Sequence, residues 1–273
     1  MTTTTGGARG PHLISAIDSF LDAAPRRSAR IEEHGPFTLF VSQAPWPYYA
    51  RPRLGGDGDA FTVEAVEAAR ARLRELGQPE TFEWVHETAP SLIGAIRDTG
   101  LDVLEVPLLV LDRSLWRAPE PPGTVTLRRL DPDENAVDDA LAVAEVGFGA
   151  PGTAPGPEGR AERDAVTLAA GFSEHMRQRL RTGQSVIVVA ETPAGPAATG
   201  TLRPVGDVAE IVGVATLPAV RRQGLGGAVT GALVEIALES GIDTVFLSAA
   251  SDEIARVYER LGFRRAGTAC FLR

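Results

Sequence analysis

Residues 208–227, VAEIVGVATLPAVRRQGLGG, constrain the chain more than any other stretch. They predict a strand, a break at Leu217-Pro218, and then Arg221-x-x-Gly224-x-Gly226 opening a helix. Gly224 and Gly226 permit backbone conformations and close approaches that a side chain would forbid. The helix behind them begins with unpaired N–H groups and a partial positive charge, a ready seat for an anion. Arg221 and Arg222 add fixed positive charge beside it. A diphosphate is the ligand such a turn holds best.

Two other phosphate motifs are excluded. A P-loop needs Gly-Lys-Ser/Thr after the turn, and here Gly226-Gly227-Ala228 follows. A Rossmann turn needs a strand directly before its glycines and an acidic residue ending a second strand, whereas Glu239 falls on the expected helix. The order strand, proline, Arg-x-x-Gly-x-Gly, helix resembles the coenzyme A turn of the GNAT superfamily of N-acyltransferases. Downstream, Ala255-Arg256-Val257-Tyr258-Glu259-Arg260-Leu261-Gly262-Phe263 is similar to the same family's terminal Tyr-x-x-x-Gly-Phe segment.

That resemblance implies an α/β fold with a mixed, mostly antiparallel sheet flanked by helices. The expected elements of the second half follow its order. They are strand 124–130, helices 132–147 and 161–180, strands 185–190, 198–205 and 208–216, helix 225–239, strand 244–248, helix 252–261 and strand 264–271. In the first half, residues 1–10 read as disordered, 12–24 as a helix with Leu13, Ile17 and Leu21 on one side, and 37–41 as a strand. Residues 44–52 read as an ordered loop or irregular edge strand. A turn at 55–59 leads to helix 62–76, strand 81–86, helix 90–99 and strand 101–111.

At a shift of 162 residues, Trp84-Val85 falls opposite Phe246-Leu247, Leu92 opposite Ile254, and Gly100-Leu101 opposite Gly262-Phe263. This reads as a tandem: a shortened, degenerate copy at 1–118, a Pro-rich linker at 119–123, and a catalytic copy at 124–273. The first copy differs where chemistry belongs. Ile96 stands opposite Tyr258, and Asp57 and Asp59 put negative charge in its Arg53-x-x-Gly56-x-Gly58 turn, which favours a plain surface turn.

A net charge of −9 argues against general nucleic-acid binding and confines the anion seat to a local arginine cluster. An acidic remainder suits a cationic acceptor such as an amine, and suits solubility equally well. No apolar run is long enough to span a membrane, and the Thr/Gly-rich start is neither signal peptide nor anchor. One cysteine, Cys270, excludes an internal disulfide and points to a reducing, cytoplasmic setting; it reads as a buried apolar residue. Four scattered histidines and one cysteine offer no metal-ligand spacing.

Acyl transfer from a thioester to an amine needs a base for the amine, an acid for the departing thiolate, and donors for the oxyanion. Tyr258 is the expected acid, since a phenol is protonated at neutral pH; the bland alternative is a packing tyrosine with a satisfied hydroxyl. Glu210 is the expected base, directly or through water, against an exposed strand glutamate or a counter-ion for the amine. By resemblance, the backbone of Val214-Ala215-Thr216 pairs with the pantetheine arm. Arg221, Arg222, Gln223, Gly224, Leu225, Gly226, Gly227 and Ala228 surround the diphosphate, and Asp252 and Ala255 reach the cofactor. Asp252 stands where relatives often carry asparagine, and an N-cap at Ser251 or Asp252 is the simpler account. Glu174 and His175 fall in the region that caps the acceptor, or on a solvated helix face. Residues 150–159 form a lid or a plain connection. Trp84, Tyr48 and Tyr49 read as core or interface residues.

The implied activity is acetyl-CoA-dependent acetylation of a primary amine on a small molecule, by direct attack through a tetrahedral intermediate. The chain is expected to work as a monomer or homodimer. The rival readings are a non-catalytic acyl-CoA sensor and a protein or peptide Nα-acetyltransferase.

Overall fold

The structure is a computed structural model that describes residues 9–56, 61–123 and 125–272. The expectations for residues 1–8, Asp57, Gly58 and Asp59 lie outside the described residues. The chain divides into two units, Met1–Leu108 with Arg265–Arg273, and Leu109–Arg264.

In the first unit, α1 (Arg9–Ala23) buries Ile14, Ile17 and Leu21 at helical spacing. It begins at Arg9, inside the stretch expected to be disordered. Strand β1 (Ala29–His34) was not legible in ARIEEH, because an edge strand buries little and keeps a polar composition. It pairs antiparallel with β2 (Phe37–Ser42), which pairs with the three-residue β3 (Ala50–Pro52). Helix α2 (Val63–Glu75) starts at Thr62, whose hydroxyl accepts the Ala65 N–H at 3.2 Å. Strand β4 (Phe82–Val85), α3 (Leu92–Arg97) and β5 (Leu104–Leu111) follow. Phe37, Leu39, Phe82, Trp84 and Leu92 form the unit's main core, and Trp84 is fully buried there. Tyr48 and Tyr49 pack with Phe40 in a smaller cluster. The Arg53 turn is spent internally: the Gly56 amide donates to the Arg53 carbonyl, and the Arg53 side chain pairs with Glu33.

In the second unit, β6 (Thr126–Arg129) leads to α4 (Ala136–Gly149). The single helix expected at 161–180 is two, α5 (Arg160–Asp164) and α6 (Phe172–Arg181). The break follows from Arg163, whose buried guanidinium is held by the carbonyls of Ala194 and Pro196, and from Gly171, which caps α6 with φ of 77°. Then come β7 (Val186–Thr192), β8 (Gly195–Val205), β9 (Val208–Thr216), α7 (Leu225–Glu239), β10 (Thr244–Ser248), α8 (Asp252–Glu259) and β11 (Phe263–Leu272). The strand order within this unit is β5-β10-β9-β8-β7-β6, antiparallel along β9-β8-β7-β6 and parallel where β10 meets β9. Val186, Val188 and Ala190 pack with Val229 and Leu233 of α7. The alternating Ile187 and Val189 pack with Val137 and Leu141 of α4, so helices cover both faces.

The division does not fall at 119–123. Leu109 and Leu111 of β5 belong to the second unit's core, whereas Cys270 and Leu272 of β11 belong to the first, where β11 pairs with β4. The Pro-rich segment lies against α7 instead: a Cβ at Gly231 would come within 2.6 Å of the Pro119 ring. Proline content signals a missing hydrogen-bond ladder, not a missing packing partner.

Candidate functional site

Strand β9 builds one wall of the site. Its register with β8 advances by two residues on β8 and three on β9 between the Thr199–Ala215 and Thr201–Val212 pairs, a bulge at Gly213, whose φ is 64°. On its other edge, β9 pairs with β10 only from Val208 to Glu210. Beyond Glu210 the two strands part, which leaves the edge carrying Val214, Ala215 and Thr216 open to a cleft of about 730 Å3.

The floor at one end is the glycine turn. Leu217 and the short 3-10 turn Pro218–Val220 end β9, and Gly224, with φ of 82°, caps α7. The Arg221 amide donates to Pro218 O and the Ala228 amide to Gly224 O. Between them, none of the six amides from Arg222 to Gly227 donates to any described residue. Arg222 is the one described non-glycine residue with positive φ, 65°, a conformation that costs about 1–2 kcal/mol. Six unspent donors at a helix N-terminus, five of them on residues that line the cleft, fit a diphosphate.

The two arginines of the turn are less free than their sequence suggests. Arg221 donates to the carbonyls of Gly147, Ala150, Ala154 and Thr216, at 2.7–3.3 Å. It clamps residues 147–154 to the turn. Arg222 donates to Thr153 O at 3.1 Å and pairs with Glu253 at 3.3 Å, and the Thr153 hydroxyl donates to the same Glu253 carboxylate. Gly156 and Glu158 are bonded to Pro218 and Ala219. The 150–159 connection is therefore strapped to the turn along its length.

Tyr258 lines the cleft from α8, with its ring edge-on to Phe263 at 6.1 Å. Burial alone pushes its phenol up to about 12, and its hydroxyl has no hydrogen-bond partner among the described residues. A buried phenol normally finds one for structural reasons. Glu210 is 7% exposed at the last β9–β10 pair and is not among the cleft-lining residues. Its neighbours Ala209 and Ile211 pack in the core with α7, which puts its side chain on the opposite face. There Arg203, its cross-strand partner, reaches it at 3.4 Å. Burial raises the Glu210 pKa and Arg203 opposes the rise.

Of the other expected residues, Val214, Ala215, Thr216, Arg221, Arg222, Gly224, Leu225, Gly226 and Gly227 line the cleft. Gln223, Ala228, Asp252 and Ala255 do not; Ala255 is in the core, and Ser251 is the α8 N-cap, accepting the Ile254 N–H. Glu174 pairs with Arg181 at the surface. Burial, and after it Arg179, lowers the His175 pKa. The Cys270 thiol is buried and pushed up to about 12, so it is inert near neutral pH. Phe148, 61% exposed, and Glu253, Arg256 and Arg260 also line the cleft. The last three were within reach of the sequence, as the exposed i, i+3, i+7 stripe of a helix that also presents Tyr258.

Residues 157–263 match the family model described as acetyltransferase (GNAT) family. No curated protein matches the sequence. Among solved structures, a GCN5-related N-acetyltransferase from Kribbella flavida is 23% identical with a TM-score of 0.72, over 95% of each chain. A functionally unknown conserved protein from Staphylococcus epidermidis ATCC 12228 is 15% identical with a TM-score of 0.56, over 93% of this chain and 96% of that one. A tandem GNAT protein from the clavulanic acid biosynthesis pathway is 18% identical with a TM-score of 0.54, over 87% of this chain and 77% of that one. Residues 157–263 thus match the acetyltransferase (GNAT) family model, and the chain is similar in fold to GNAT proteins, a tandem one among them.

Proposed function

We propose that the chain is an acetyl-CoA-dependent N-acyltransferase that acetylates a primary amine of a small molecule. The observation that carries this reading is the run of six unspent amides from Arg222 to Gly227, five of them on residues that line the cleft. Acetyl-CoA is a substrate here and supplies the thioester. The amides and Arg222 hold its diphosphate, and the free edge at Val214–Thr216 orients the arm that carries the acyl group. One N–H of that edge serves the oxyanion.

Tyr258 carries the proton for the departing thiolate, because burial keeps the phenol protonated and its hydroxyl is not committed elsewhere. Glu210 accepts a proton from the amine through water, since its carboxylate sits behind the cleft wall. The amine attacks the thioester directly, through a tetrahedral intermediate.

The setback of Glu210 also favours a second reading, a non-catalytic acyl-CoA sensor. One assay separates them: acetyl-CoA is incubated with a panel of amines and peptides while free thiol is followed. Thiol release with a small primary amine supports the transferase. Binding of acetyl-CoA with no release against any acceptor supports the sensor, and release with peptides alone would move the acceptor to protein N-termini.

A further inference from the structure

Glu210 is a buried acid with few charges around it. Arg203, its cross-strand partner, brings Nη1 to 3.4 Å from Oε2, the one side-chain hydrogen bond or ion pair that reaches this carboxylate among the described residues. On β10 the residue paired with Glu210 is Phe246, buried and apolar. Helix α4, which packs against β9, carries Asp138, Asp139 and Glu145; Asp138 is taken by Ser173 and Arg177, and Glu145 is exposed. None of the three, and no charge on α7, bears on Glu210, where burial and then Arg203 are the influences at work.

Burial alone favours the protonated acid, and a protonated acid cannot take up a proton. A guanidinium, charged throughout the working pH range, favours the carboxylate instead. How tightly it holds decides the outcome. Arg72 grips both oxygens of Glu32, at 2.5 and 3.2 Å, and chiefly through that grip the carboxyl is pushed down to about 2, too weak a base to receive an amine's proton. Arg203 meets one oxygen of Glu210, from beyond the roughly 2.7–2.9 Å of a full charge-assisted bond. It supports the charge without taking the basicity away.

We propose that Arg203 is a positioning residue for the proton transfer: through its contact with one oxygen of Glu210 it keeps that carboxylate charged and fixed behind the cleft wall, where water brings it the proton of the amine. The inference rests on Glu210 being the base, and it adds what makes a buried acid serve as one. Arg203 does not line the cleft and acts through Glu210 alone.

The test follows the full chain against pH as wild type, Arg203→Met, Arg203→Lys and Glu210→Gln. Two readings are taken. One is thiol release with saturating acetyl-CoA and the fastest small primary amine of the panel; the other is carboxyl 13C titration of Glu210, assigned by its loss in Glu210→Gln. Arg203→Met is expected to lower thiol release about tenfold on the acid limb, with the deficit closing as pH rises, and to move the Glu210 titration to higher pH. Arg203→Lys keeps the charge and is expected to bring both readings back toward the wild type. Arg203→Gln gives the same comparison if the Met variant does not fold. A loss equal at every pH, with the Glu210 titration unmoved, would make Arg203 a packing residue and overturn the proposal while Glu210 stands as the base. An acid limb that survives in Glu210→Gln, or no release with any amine, would remove the base and the positioning role with it.

Discussion

Tyr258 and Glu210 are both buried acids, and burial works on them in the same direction with different consequences. For Tyr258 a raised pKa keeps the proton on across any assay range, which suits a group that must give it up only to a strong base. Tyr258→Phe is expected to lower kcat on the order of a hundredfold while the affinity for coenzyme A stays within about twofold, read by steady-state rates beside titration. For Glu210 the folded pKa lies above the ordinary value of 4.5, so the protonated form is the one the fold favours. The stability that this adds is full below the unfolded value and is lost as pH rises through the folded one. Wild-type stability should therefore fall between acid and neutral pH relative to Glu210→Gln, as urea unfolding measures. If Glu210 is the base, activity rises over the same interval and Glu210→Gln flattens that limb. Both residues could be picked out in the sequence as candidates, Tyr258 from its place four residues before Gly262 and Glu210 from its place on the strand before the glycine turn. The Arg203 contact was not, because cross-strand pairing depends on a register that a bulge resets.

Among the elements, the helices and strands nearest the glycine turn were the easiest to foresee, since local patterns and packing agree there. Gly100 and Gly262, matched by the internal repeat, both follow a helix and both have positive φ, 83° and 99°. The single helix expected over 161–180 fails because an apolar period runs through Val166, Leu168 and Phe172 although the backbone breaks between them. The 150–159 connection shows what composition hides. Its proline and glycine content reads as looseness, yet Arg221, one turn residue, gathers four carbonyls and holds it. Arg221→Met keeps the stem and removes those donors. It is expected to destabilise the chain by about 1–3 kcal/mol and to speed amide hydrogen exchange at residues 150–159 and at Ala219 well before exchange in β7 or β8 changes. Unchanged exchange in the connection would show that the clamp does not hold it.

At the scale of the whole chain, the net charge of −9 coexists with a cationic cleft because Glu253 is the one acidic residue among those that line it, beside four arginines. The tandem pattern was readable, but its boundary was not. A linker is a local signal, whereas membership of a core is decided by strands far apart in sequence, and Cys270 and Leu272 lie in the core of the first unit. Removal of residues 265–273 is therefore expected to open the first unit to proteolysis, because it takes Cys270 and Leu272 from that core and β11 from β4; cleavage confined to the new C-terminus would speak against this. The central claim is that unspent amides on the glycine turn hold the diphosphate of a thioester carrier. Titration of the 15N-labelled chain with acetyl-CoA tests it most directly. The account predicts that the largest amide shifts fall on Arg222–Gly227, with smaller ones along Val214–Thr216. Saturating ligand that leaves those six amides unmoved would contradict it.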